Sequence, residues 1–230
     1  AVRSVDPNGT LLAFSLDDLG WDAAQWEKLV RAYSKALVMP LSDKSRRLAG
    51  STVPIVRGDW LAYAASHPKL YYQLLNVPEK LGDLAKKNGI DLDYDVRVVR
   101  ARRAIVRDST VTRANRLIER HPGARGGFWL SYDFTTSTGE QDLFNHPLGP
   151  QALGSKVTGS ARAPFKPDGV RVMFTLPNGF LAYAIYDAAG NRIDKIPPGI
   201  EVPGFLGANP QTSVGAGCLS CHTGGVKIVR

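Results

Sequence analysis

The apolar residues of this 230-residue chain change their spacing partway along, and that change restricts the fold more than any other feature. Before about residue 125 they recur at helical intervals. After it they alternate, as on strands with one buried face. In the first part, Trp26, Leu29, Val30, Tyr33 and Leu37 predict a helix that starts after Asp22, a suitable N-cap, and stops before Pro40. Trp60, Leu61, Ala64, Leu70, Tyr71, Leu74 and Leu75 predict a second helix over 59–75, with a break or kink at His67-Pro68. Pro78 suits the first turn of a third helix, which Asn88-Gly89 would end. Alternation in Val96 to Arg100 and Ala104 to Arg107 predicts a half-buried strand, and Asn115, Leu117, Ile118 and Arg120 a helix ending at His121-Pro122-Gly123.

From there the period is two. Phe128 to Phe134, Val170 to Leu176 and Phe180 to Asp187 read as strands, and Pro177-Asn178-Gly179 between the last two is a hairpin signal. Helices followed by a run of strands indicate an α+β chain with an antiparallel β-meander. The expected organisation is a single domain over 1–230, with a mainly helical part at 1–125, the meander at 126–196 and a loop-rich C-terminal segment at 197–230.

Composition excludes several classes. Apolar residues make up 43% and charged residues 22%, ordinary for a globular protein, and no apolar run approaches the roughly 20 residues of a membrane-spanning helix. The net charge is +8, with nine Arg between Arg97 and Arg125. A groove that tracks nucleic acid would interleave aromatics with these Arg, and this stretch holds no Phe, Tyr or Trp. A solvated basic face is the expectation, and an acidic protein is the partner such a face suits.

The only two cysteines lie three positions apart, in Cys218-Leu219-Ser220-Cys221-His222. Two thiols at this spacing can form thioethers with the two vinyl groups of one porphyrin, and the adjacent imidazole can then coordinate its iron. A disulfide here would close a loop too small to stabilise much. A redox dithiol belongs at the start of a βαβ unit, which is absent around these residues, and His67, His121 and His146 lack the spacing of a zinc site.

The segment Gly217 to Gly225 resembles the haem-attachment site of c-type cytochromes. Asn115 to His121, Trp129 to Phe134 and Leu176 to Gly179 are similar to segments of larger bacterial cytochrome-like proteins that also carry the motif late in the chain. The familiar small class I cytochromes place it near the N-terminus, so their fold does not apply. The resemblance implies one covalent haem c and an exported protein of the periplasm or cell exterior.

With His222 on one side of the iron, the reaction depends on the other side. The candidate sixth ligands are His121 and His146, both in Pro-containing turns, followed by Met39, Met173 and His67. If His121 approached the iron, Arg116 and Arg120, one helical turn before it, would meet the haem propionates. A strong sixth ligand makes an electron carrier. An open site makes a peroxidase-like enzyme or a small-ligand sensor. The chain could also serve as a module of a larger redox assembly with further haem subunits.

Overall fold

The structure is a computed structural model, and it describes residues 3–4, 6–9, 12–13, 15, 17, 21–32, 43, 57–68, 70–106, 115–134, 166–177, 179–197, 214–222 and 225. The chain forms two compact units, Ala1–Asn76 and Val77–Arg230.

In the first unit a short ladder pairs β1 (Arg3–Ser4) with β2 (Leu12–Ala13). The helix α1 (Ala23–Ala32) begins with a reciprocal cap: Asp22 Oδ1 accepts from the Gln25 amide at 2.9 Å, and Gln25 Oε1 accepts from the Asp22 amide at 2.7 Å. The expected second helix is two, α2 (Gly58–Ser66) and α3 (Leu70–Leu74). His67, which precedes Pro68, is extended at φ −98° and ψ 149°, the conformation a following proline favours. Leu29, Ala64, Leu70 and Leu74 form this unit's core, with Trp21, Trp26, Val30, Trp60 and Leu61 packed on it.

The second unit opens with α4 (Leu81–Lys87) and α5 (Leu92–Arg97). The first starts later than Pro78 but ends as expected. Gly89, at φ +73°, donates to the Lys86 carbonyl, and Ile90 donates to that of Ala85, each at 2.9 Å. The strand expected over Val96 to Arg100 is instead the end of α5 and a turn. Asp91 caps that helix by accepting from the Tyr94 amide at 2.9 Å. Val99 then turns the chain at φ +60° with 80% of its surface exposed. The valines that suggested alternation are outside the core.

Five antiparallel strands follow in sequence order: β3 (Arg102–Val106), β4 (Asn115–Gly123), β5 (Gly126–Phe134), β6 (Gly169–Thr175) and β7 (Leu181–Tyr186). The α+β expectation holds. The helix expected to end at His121 does not form, because those residues are β4, joined to β5 by a tight hairpin in which Gly123 pairs with Gly126. The sheet therefore begins at Arg102, within the part expected to be mainly helical. Between Pro177 and Gly179 the expected hairpin is present: Gly179, at φ +86°, donates to the Leu176 carbonyl at 2.9 Å.

Alternation sends the sheet's side chains to two faces. One carries Leu117, Phe128, Leu130, Tyr132, Val170, Val172, Phe174, Ala182, Ala184 and Tyr186, all buried. Removing side chains such as Leu117 and Leu130 from water stabilises the fold by about 1.5 to 3 kcal/mol each. This core face is tied to the helical segment by Tyr186, whose hydroxyl donates to the Pro78 carbonyl at 3.0 Å.

Candidate functional site

The motif lies on a short helix, α6 (Ala216–Cys221), within the segment expected to be loop. Gly215 admits this helix. At φ +87° and ψ −92° it holds a conformation that side chains resist, and its carbonyl accepts from the Leu219 amide at 2.8 Å. One turn of helix separates Cys218 from His222, whose amide reaches the Cys218 carbonyl at 3.2 Å, so positions 218 and 222 lie on one side. Cys221 is the helix's last residue.

The His222 ring is oriented by its own backbone. Nδ1 lies 3.2 Å from the Gly225 carbonyl oxygen. A carbonyl only accepts, so Nδ1 carries the proton and donates. The lone pair then belongs to Nε2, the nitrogen such a bond prepares for a metal. Beside the imidazole stands Tyr183, with ring centroids 5.5 Å apart and planes inclined by 33°. Burial, and secondarily the neighbouring Cys218, push the Tyr183 phenol up to about 12.

Tyr183 belongs to the face opposite the core face, and strand register identifies what shares it. Met173 stands directly across from Tyr183, Trp129 from Met173, and Arg120 from Trp129. The Arg120 guanidinium lies 5.4 Å over the Trp129 ring. Two residues along, the same face holds Arg171, Ser131 and Ile118, and beyond them Asp133 and Arg116. Asp133 is fully buried. Its Oδ2 lies 2.7 Å from Arg171 Nε, its Oδ1 lies 3.5 Å from Arg116 Nε, and Ser131 Oγ donates to Oδ1 at 2.6 Å. Burial lowers the Arg116 pKa from its ordinary value; Asp133 opposes that and Arg171 adds to it.

Arg116 and Arg120 thus share the face of Tyr183 and His222, although they are four residues apart on a strand and not one helical turn apart. His121 does not join them. It alternates onto the core face, fully buried, with Nδ1 3.2 Å from Asp95 and Nε2 3.4 Å from Glu119. Among the described residues the sheet therefore separates His121 from His222, and the propionate role that depended on His121 approaching the iron loses its premise. His67 is in the first unit, with its ring stacked on Tyr63 at 3.7 Å. Met173 is half-buried on the Tyr183 face. His146 and Met39 lie outside the described residues.

Sequence reasoning missed Tyr183, Asp133 and Arg171. Their signal was present, since the strands that alternate inward as Val170, Val172 and Phe174 must alternate outward as Arg171, Met173 and Thr175. No helix among the described residues is long and apolar enough to cross a membrane. No family model, curated protein or solved structure matches the chain.

Proposed function

We propose that this chain is a monohaem c-type cytochrome that transfers electrons outside the cytoplasm, in the periplasm or at the cell surface. Cys218 and Cys221 would hold the haem by thioethers, and His222 would be its axial ligand. The observation that carries this reading is the His222 imidazole, fixed through Nδ1 by the Gly225 carbonyl on a helix whose preceding turn holds Cys218. Cysteines of a plain disulfide or dithiol would give the adjacent imidazole no such task.

Bound haem supplies a one-electron couple. The protein's residues supply its setting. The Gly225 carbonyl, by holding Nδ1, would leave Nε2 free to bind the iron, and the Tyr183 ring beside the imidazole would restrict its rotation. The exposed Arg97, Arg102, Arg120 and Arg125 give this unit a basic surface suited to an acidic redox partner protein.

An absorption spectrum tests the carrier role. The expected result is a low-spin, six-coordinate ferric haem that, once reduced, does not respond to carbon monoxide. A high-spin haem that binds carbon monoxide would replace electron transfer with the open-site alternative, a peroxidase-like enzyme or a ligand sensor.

A further inference from the structure

One row of side chains crosses the sheet from the motif to an exposed edge. It begins at the His222 imidazole, against which Tyr183 of β7 lies with ring centroids 5.5 Å apart. Strand register then places Met173 across from Tyr183, Trp129 across from Met173, Arg120 across from Trp129, and Arg102 of β3 across from Arg120. Directly opposed residues on adjacent antiparallel strands have Cβ atoms about 5 Å apart, so their side chains can pack on one another. Exposure rises along the row: Tyr183 is buried, Met173 and Trp129 are half-buried, and Arg120 and Arg102 are exposed. From Tyr183 to Trp129 the row crosses two strand spacings, roughly 10 Å.

Two features at the outer end of the row weaken the sheet. Gly127, two residues before Trp129 on β5, leaves room for the indole, since a Cβ there would lie 2.5 Å from Trp129 Nε1. Glycine inside a strand has no side chain to pack and loses more conformational freedom on folding. Arg102 stands opposite Arg120, and like charges directly opposed on neighbouring strands are destabilising. Among the described residues no ion pair engages either of them. The Arg120 guanidinium instead lies 5.4 Å over the Trp129 ring. An acidic surface laid on this end would relieve the repulsion and would meet Arg and Trp, residue types enriched where proteins bind one another.

We propose, on the cytochrome reading from which this inference follows, that Arg102, Arg120 and Trp129 form the docking site for an acidic one-electron redox protein. Met173 and Tyr183 complete the path between that site and the haem. The haem loses one electron and the partner's acceptor gains it, and no bond forms or breaks. An electron tunnels more readily through packed side chains than across a solvent gap, which is why an unbroken row ending at a charged surface suits this task. Arg97 on α5 and Arg125 in the β4–β5 turn are also exposed, but they stand off the row and are not part of the site.

The test is rapid mixing of the reduced holoprotein with ferricyanide, a small anionic one-electron oxidant, followed by haem absorbance over a range of salt concentrations. Removing both cations, in Arg102→Gln, Arg120→Gln, slows oxidation at low salt roughly tenfold and flattens its salt dependence. The matched control Arg97→Gln, Arg125→Gln removes the same charge off the row and keeps the rate within about twofold of wild type. Trp129→Leu takes the ring out of the row and slows oxidation at every salt concentration with the reduction potential unchanged, and Trp129→Phe recovers most of the rate. If Trp129→Leu does not fold, the exposed arginines still decide the matter. Wild-type kinetics in the Arg102→Gln, Arg120→Gln holoprotein, or equal slowing in the control, overturns the docking site, and a wild-type rate in Trp129→Leu overturns the path. A preparation without haem absorbance overturns the cytochrome reading instead, so the failures are distinguishable.

Discussion

The two sides of β4 contrast sharply. Leu117, Glu119 and His121 point into the core, and Arg116, Ile118 and Arg120 point to the face shared with Tyr183. On the core side, a helix and the sheet are joined through charged groups: Tyr132 donates to Glu119 at 3.3 Å, Arg103 pairs with it, and His121 bridges to Asp95 on α5. Such a network anchors a helix to a sheet. On the other side, Asp133 pairs with Arg171 and Arg116 at 2.7 and 3.5 Å, and His222, which ends the motif helix, lies beside Tyr183. Residues adjacent in sequence therefore serve different ends, and the strand's alternation decides which.

The largest expected effect breaks the core side. Glu119→Ala strands Arg103 and His121 without their shared carboxylate, and should cost about 3 to 5 kcal/mol in urea unfolding. If the two sides are separate in function, the mutant that still folds keeps the wild-type reduction potential. A shifted potential would join what the structure separates.

Next comes the motif side. Gly215→Ala forces a side chain into φ +87°, ψ −92°, at a cost of about 1 to 3 kcal/mol. The strain falls where α6 begins, so the yield of covalently loaded protein should drop while the core network stays intact. Denaturation and haem content, measured on one preparation, check both halves of this expectation.

Smaller still is Asp22→Ala, which removes the cap of α1 and should cost about 1 kcal/mol. Urea unfolding of this variant beside the wild-type chain measures that loss.

The finest test is the Tyr183 phenol. Its pKa is raised in the folded chain, from 10.0 to about 12, so the native state holds its proton longer than the unfolded state. The associated stability is present below 10.0 and is lost as pH climbs toward 12. Burial remains when haem is attached, but a Cys218 thioether carries no charge. Absorbance titration of tyrosinate should therefore find the phenol somewhat more acidic in the loaded protein than in the unloaded chain, whose Cys218 thiol can still ionise; an equal or higher pKa in the loaded protein would contradict this.

The sheet was legible wherever an apolar residue occupied every inward position, as in Phe128, Leu130 and Tyr132. It was misread at β4 because Glu119 and His121 fill inward positions, and only their partners Arg103 and Asp95, distant in sequence, make that burial tolerable. The Val96 to Arg100 error has the opposite cause, apolar residues spent on an exposed turn. Of the site, the motif was plain because its chemistry is local. Tyr183, Asp133 and Arg171 were not, because what joins them is the register of β5, β6 and β7.

The central claim, covalent haem on Cys218 and Cys221, is tested most directly by the mass of the denatured protein produced in a host that attaches haem c. One haem retained through denaturation, and lost in the Cys218→Ser, Cys221→Ser chain, is the predicted result. The mass of the bare polypeptide would contradict it.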